Sequence, residues 1–132
     1  MHHEPLRILY ADDEEDIREI VALALELDGR IELAVCNSGN AALQYLEHHT
    51  PDLVILDVMM PGLDGPGTLA AMRERPATAQ IPAIFLTAKV QRHDVERLLS
   101  LGAIGVIGKP FDPLQLAPQV RELWESRRAA PA

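Results

Sequence analysis

Five short, largely apolar runs recur along the chain, and they constrain its fold more than any other feature. Three of them are apolar at every position, without the alternation typical of a strand that has one face in water. Such strands are covered on both faces, as in a parallel sheet with a layer of helices on each side. The runs lie at residues 8–11, 31–35, 53–56, 83–86 and 104–107.

Apolar residues recur with helical spacing between and after these runs. The clearest series has i, i+3, i+4 and i+7 spacing and consists of Ile17, Ile20, Val21 and Ala24. Asp112 and Pro113 predict the start of the last helix, because a carboxylate favours the cap position and proline favours the first helical position. The pattern predicts five βα units, and therefore an α/β fold in the form of a three-layer α/β/α sandwich.

Length and charge limit what such a domain does. The chain has 132 residues, the size of one ordinary domain. Its net charge of −8 argues against direct contact with nucleic acid, whose phosphates are bound by basic surfaces. No stretch approaches about 18 consecutive apolar residues, so we expect no membrane contact and a cytoplasmic protein. We expect one domain at residues 1–127, followed by a short tail at 128–132 and no output domain.

Polar residues stand at the carboxyl ends of four of the five predicted strands. They are Asp12 and Asp13, then Asp57, then Thr87 beside the small Ala88, and finally Lys109 beside Pro110. In an open parallel sheet, ligands bind outside the carboxyl ends of the strands. We therefore expect three carboxylates, one hydroxyl and one lysine to meet at a single edge of the sheet, where the small Ala88 leaves room for a bound group.

Each of these residues also has a purely structural interpretation. Asp13 could cap the first helix, and Asp57 could begin an ordinary turn. Thr87 could be a strand-end hydroxyl bonded to backbone, and Lys109 could lie on the surface. The joint pattern favours a common site over four separate coincidences.

The residue types in this pattern point to phosphoryl transfer with a divalent cation. Two like charges about 4 Å apart repel by about 4 kcal/mol at an effective dielectric constant of 20, so three bare carboxylates favour a bound cation. Oxygen ligands suit Mg²⁺, with Mn²⁺ as a substitute. Asp57 is the candidate nucleophile toward phosphorus. Asp12 and Asp13 are candidate metal ligands, while Thr87 and Lys109 would meet phosphoryl oxygens.

Four stretches resemble the motifs of bacterial two-component response regulator receiver domains, in particular single-domain regulators of the chemotaxis-regulator type. They are residues 9–14, 57–65, 86–88 and 109–111, and they match in order and spacing across nearly the whole chain. The resemblance implies a flavodoxin-like (βα)5 fold with strand order 2-1-3-4-5. It also implies a signalling protein, not an enzyme, which catalyses only its own phosphorylation and dephosphorylation.

The resemblance implies roles for the residues of the site. Asp57 accepts the phosphoryl group from a sensor histidine kinase or a histidine phosphotransfer protein. Asp12, Asp57 and the backbone carbonyl of Met59 bind Mg²⁺, and Asp13 acts directly or through water. Lys109 pairs with Asp57 and then with the phosphate.

The resemblance also implies how the signal leaves the site. Thr87 moves toward the phosphoryl group on activation, and the Lys109–Pro110 bond is cis. One position departs from the family pattern, because Val106 stands where receivers usually carry Tyr or Phe. A valine cannot swing inward as a large ring does, so we expect the signal to pass through the loop after Thr87 and the fourth helix.

Two other functions stay open at this point. One is a phosphate-independent interaction domain, a degenerate receiver, against which the retained Asp12, Asp57 and Lys109 argue. The other is a phosphatase of the haloacid dehalogenase type, which needs a second Asp two residues after its nucleophile, where this chain has Met59. The output partner is unknown from sequence, and the family suggests a homodimer through helix 4, strand 5 and helix 5.

Overall fold

The computed structural model describes residues 4–129, so residues 130–132 of the predicted tail lie outside the described residues. Strands and helices alternate along the chain, and each predicted run coincides with a strand that is followed by a helix. The strands are β1 (Leu6–Ala11), β2 (Ile31–Cys36), β3 (Leu53–Asp57), β4 (Ala83–Thr87) and β5 (Gly105–Gly108). The helices are α1 (Glu15–Glu26), α2 (Gly39–Leu46), α3 (Gly65–Arg73), α4 (Arg92–Ser100) and α5 (Pro113–Ala129).

The strands form one parallel sheet in the order β2-β1-β3-β4-β5. This order confirms the expected α/β fold and its strand sequence. The central strand is β3, which pairs with β1 through Tyr10 and Ile55 and with β4 through Asp57 and Leu86. Asp57 therefore ends the middle strand, at the carboxyl edge of the sheet.

Side chains alternate along the strands and sort into two hydrophobic cores. One core, here named the α2–α4 face, contains Leu9 and Val54 together with apolar residues of α2, α3 and α4. The other, the α1–α5 face, contains Tyr10 and Ile55 together with apolar residues of α1 and α5. Every residue of β3 and β4 is buried, which confirms the prediction made from their unbroken apolar runs.

The starts of the helices follow the local sequence. The side chains of Ser38 and Asp64 accept hydrogen bonds from backbone N–H groups in the first turns of α2 and α3. Asp112 accepts one at the start of α5, as predicted. The first helix is different, because its cap residue Glu14 makes no side-chain cap bond. Asp13 therefore does not cap α1, and the structural interpretation of this residue is wrong.

The last helix is longer than its apolar pattern indicated. It runs through Ala129, so the predicted tail at 128–132 begins inside α5. Among residues 4–129, the structure contains no helix that is both long and apolar enough to cross a membrane.

Candidate functional site

The alternation of side chains decides which polar residues meet at the carboxyl edge of the sheet. Asp12, Asp57 and Lys109 each stand two residues after a strand residue of the α1–α5 face. Thr87 instead stands two residues after Phe85, which packs on the α2–α4 face. Since side chains two positions apart point to the same side, two carboxylates and the lysine gather on one face, and the threonine lies on the other.

Asp12, Asp13 and Asp57 form a carboxylate cluster at this edge. Each offers one oxygen, and the three oxygens lie within 4.8 Å of one another. Asp12 and Asp57 are buried, whereas Asp13 is exposed and lies on the solvent side of the cluster. Two charges at such a separation repel by about 3–4 kcal/mol at an effective dielectric constant of 20. The cluster could hold a metal ion, and its all-oxygen donor set fits Mg²⁺ or Mn²⁺.

Lys109 is the positive charge inside the cluster. Its Nζ donates a hydrogen bond of 2.7 Å to Oδ1 of Asp57 and lies 3.4 Å from Oδ2 of Asp12. A third carboxylate, of Glu14, lies 3.8 Å away at the exposed rim. Only 14% of the Lys109 side chain is exposed, so its interpretation as a surface lysine is wrong.

Burial and charge shift the pKa values of this pair. Burial above all, together with the charges of Asp12 and Asp13, raises the pKa of Asp57 to about 6, although the hydrogen bond from Lys109 acts in the opposite direction. Burial alone would lower the pKa of Lys109, but its hydrogen bond to Asp57 and the charge of Asp12 raise it above its ordinary value. One lysine thus faces two buried carboxylates, and the charged form of Asp57 is disfavoured.

Three further groups hold Asp12 in place. The hydroxyl of Tyr10 donates a hydrogen bond of 2.6 Å to Oδ2, and the backbone N–H of Glu14 donates one of 3.0 Å to Oδ1. Arg18 donates to the backbone carbonyl of Asp12 at 3.0 Å. Burial and the bond to Asp12 raise the pKa of Tyr10, so its hydroxyl remains a neutral donor. Tyr10 was not predicted as part of the site, although strand alternation places it on the same face as Asp12.

Thr87 is buried at the end of β4, beside the site but outside the ion-pair cluster. Its hydroxyl accepts a hydrogen bond of 3.0 Å from the backbone N–H of Lys89. In this structure Thr87 therefore has the strand-end bond that its structural interpretation describes. Ala88 is exposed next to it.

The switch position Val106 lies in the middle of β5, paired with Phe85 and half-buried against the core of the α2–α4 face. The loop after Thr87 also contacts β5. A Cβ added at Gly108 would come within 2.8 Å of Cγ1 of Val90, so the two residues are in close contact. A movement of this loop would therefore displace the strand that leads into Lys109.

The loop after β3 shapes the approach to Asp57. A Cβ added at Gly65, the first residue of α3, would lie 2.5 Å from the carbonyl oxygen of Asp57, so a side chain there would displace the strand end. Met59 lies at the rim with 67% of its surface exposed, and the metal contact expected of its carbonyl stays a prediction. The Lys109–Pro110 peptide bond is cis, as the resemblance implied.

Comparisons with known sequences agree with this geometry. The family described as "Response regulator receiver domain" matches residues 8–121. The chain is 37% identical over 127 residues to the response regulator Rre1 of Synechocystis sp., with 96% of this chain and 55% of that protein covered. It is 35% identical over 126 residues to the DNA-binding response regulator MtrA of Mycolicibacterium smegmatis, with 96% and 54% covered. The chain thus spans about half the length of these curated relatives.

A solved structure gives the same result for the fold. The chemotaxis response regulator CheY4 of Vibrio cholerae superposes with a TM-score of 0.83 at 27% sequence identity. The alignment covers 90% of this chain and 98% of the other.

The raised pKa of Asp57 predicts a specific pH dependence of stability in metal-free buffer. Between pH values of about 4 and about 6 the folded state binds more protons at Asp57 than the unfolded state, so the stabilisation from this group falls as pH rises. We expect the free energy of unfolding of Asp57→Asn, relative to wild type, to increase by about 2–3 kcal/mol from pH 4 to pH 7.

Urea unfolding at several pH values with a chelator present measures this difference. Asp16→Asn, which changes an exposed carboxylate of α1, is the matched control and should give a curve parallel to wild type. A constant difference between Asp57→Asn and wild type across this range would contradict the prediction.

Proposed function

Because the chain belongs to the response regulator receiver domain family, we propose that it accepts a phosphoryl group on Asp57 and signals by the resulting change in conformation. One observation carries the assignment to this residue. The carboxylate of Asp57 ends the central strand at the carboxyl edge of the sheet, 2.7 Å from Lys109 and within the carboxylate cluster. This is a nucleophile with a cation beside it, the combination that phosphoryl transfer requires.

In the proposed reaction, a carboxylate oxygen of Asp57 attacks the phosphorus of a phosphohistidine. The bond between phosphorus and the imidazole nitrogen breaks, its electron pair returns to the ring, and an acyl phosphate forms. Lys109 neutralises an oxygen of the incoming group. Asp12, Asp13, Asp57 and the carbonyl of Met59 would hold Mg²⁺, or Mn²⁺ in its place, and the ion would supply the remaining positive charge.

The phosphoryl donor would be a sensor histidine kinase or a histidine phosphotransfer protein, the partners that receiver domains imply. We propose a receiver domain over residues 1–127 that acts in the cytoplasm, has no other catalytic activity and touches no nucleic acid itself. The net charge of −8 supports the last point. MtrA is named as a DNA-binding protein, but the alignment with this chain covers only 54% of MtrA, so its name does not assign DNA binding to this chain.

A homodimer through α4, β5 and α5 also stays a prediction. Leu99 and Leu101, at the end of α4, have 42% and 43% of their surface exposed, which is compatible with a contact there. Sedimentation of the phosphorylated and unphosphorylated protein is the readout, and monomers in both states would contradict the dimer.

The two other functions have weaker support. A degenerate receiver would have no need of the buried ion pair between Asp57 and Lys109. In this chain the pair is present, with Nζ of Lys109 2.7 Å from Oδ1 of Asp57. A phosphatase of the haloacid dehalogenase type would need a general acid two residues after Asp57. That position holds the side chain of Met59, which cannot donate a proton.

The relay of the signal is proposed to run through the loop after β4. The hydroxyl of Thr87 accepts a hydrogen bond from the N–H of Lys89, so a movement of Thr87 toward a phosphoryl group would pull on this part of the loop. The same loop packs on β5 through Val90 and Gly108. Val106 would then follow the backbone instead of acting as a switch. The proposal makes the loop, not an aromatic ring, the moving part.

Incubation with acetyl phosphate and Mg²⁺ tests the chemistry. We expect intact-mass spectrometry to show an adduct of about 80 Da, the mass of one HPO₃ unit, on the wild-type protein. The adduct should be absent from Asp57→Asn and from protein treated with EDTA, and retained by Asp16→Asn. An adduct on Asp57→Asn would show that another residue is modified, and no adduct on wild type would favour the degenerate receiver.

Amide NMR spectra with and without beryllofluoride and Mg²⁺ test the relay. We expect the amide signals of Lys89 and Val90 to shift more than that of Val106, because the first two lie in the loop that is hydrogen-bonded to Thr87. Thr87→Ala should remove the Lys89 shift, whereas the exposed control Thr50→Ala should keep it. Unchanged signals across residues 88–91 would contradict the relay.

A further inference from the structure

The phenol of Tyr10 is a buried polar group to which neither the sequence motifs nor the proposed phosphoryl transfer assigns a role. The ring lies in the core of the α1–α5 face with none of its surface exposed. Its hydroxyl emerges from that core directly at the carboxylate cluster and donates to Oδ2 of Asp12 at 2.6 Å. This length falls in the range of a hydrogen bond to a charged oxygen, which is about 2.5–2.7 Å.

Tyr10 and Asp12 are tied to the same strand. Tyr10 pairs on both sides within β1, with Val35 and with Ile55, and Asp12 follows the end of that strand with its N–H bonded to the carbonyl of Cys36 at 3.2 Å. The ring has no room to move, because it is packed among core residues. The phenol therefore fixes Asp12 relative to the sheet, not relative to the loop that follows.

The hydrogen bonds at Asp12 also limit how its oxygens are used. A carboxylate has about four lone-pair positions, two on each oxygen. Among residues 4–129, Oδ2 accepts hydrogen bonds from Tyr10 and Lys109, while Oδ1 accepts one from the N–H of Glu14. A cation can thus be met by one oxygen of Asp12 without loss of the phenol bond, whereas contact with both oxygens would compete with it.

From this geometry we propose that Tyr10 is a positioning residue that holds Asp12 ready for a small divalent cation and favours Mg²⁺ over Ca²⁺. Mg²⁺ requires near-ideal octahedral geometry, whereas Ca²⁺ accepts irregular and bidentate carboxylates. A carboxylate that is fixed and offers one oxygen suits the first ion better than the second. The inference rests on the proposed function, because it takes Asp12 as a ligand of the ion.

Isothermal titration of the metal-free protein with MgCl₂ and with CaCl₂ tests the proposal. Loss of a hydrogen bond behind a metal ligand typically weakens binding at least about tenfold, and we expect Tyr10→Phe to lose about that much affinity for Mg²⁺. Its affinity for Ca²⁺ should fall by no more than about twofold, because the released carboxylate can adjust to the larger ion. The preference for Mg²⁺ should therefore decrease about fivefold. A merely structural role would weaken both ions equally.

Tyr45→Phe is the matched control, because Tyr10 and Tyr45 are the two tyrosines of the chain. Tyr45 stacks on His49 with ring centroids 4.0 Å apart, away from the carboxylates. This variant should bind both ions like wild type. Tyr10 is the one tyrosine that remains in Tyr45→Phe. A cation on Oδ1 of Asp12 would withdraw negative charge from Oδ2 and weaken the phenol hydrogen bond without breaking it, so Mg²⁺ should produce a tyrosine difference spectrum.

The outcomes separate the two proposals. If wild type binds Mg²⁺ but Tyr10→Phe keeps the wild-type ratio of affinities, the role of Tyr10 is wrong and the metal site stands. If Tyr10→Phe does not fold, a Tyr45→Phe protein that binds Mg²⁺ without any tyrosine difference spectrum overturns the role of Tyr10 by itself. If wild type binds no Mg²⁺ at all, the metal site and the role of Tyr10 both fail.

Discussion

The site depends on the ion pair between Lys109 and Asp57, buried at the carboxyl edge of the sheet. The pair joins β5 to the central strand β3 at 2.7 Å, with 14% and 3% of the two side chains exposed. A buried charge without a partner is costly, so each member requires the other. Asp12 adds a second buried negative charge that one lysine cannot balance alone. This imbalance makes the edge attractive to a divalent cation, whose charge would in turn favour an incoming phosphoryl group.

The fold supplies this arrangement through alternation and parallel strand order. Because β1, β3 and β5 run in the same direction, the residues after their ends meet at one edge. Because side chains alternate, Asp12, Asp57 and Lys109 lie on the α1–α5 face, while Thr87 points toward the α2–α4 face. The candidate phospho-acceptor Asp57 and the neighbouring Thr87 thereby lie on opposite faces of the sheet. In the relay that we propose, the signal passes from one face to the other when the backbone of the loop after β4 moves.

The apolar runs predicted the strands and the layers correctly, because unbroken burial on both faces is visible in sequence. The motif residues were also located correctly at one edge. Three features could not be predicted from the sequence. The hydrogen bond of Tyr10 depends on a side chain reaching back from the core, and the bond of Thr87 to Lys89 depends on the loop conformation. The extension of α5 to Ala129 follows a polar stretch with no apolar pattern to mark it.

The central claim, that Lys109 and Asp57 act as one unit, is tested most directly by a double-mutant cycle in metal-free buffer at pH 7. Lys109→Met should lower the free energy of unfolding by about 3 kcal/mol in wild type, because a buried carboxylate loses its partner. In Asp57→Asn the same change should cost only about 1 kcal/mol. A coupling of about 2 kcal/mol would support the account. Equal losses in the two backgrounds would contradict it.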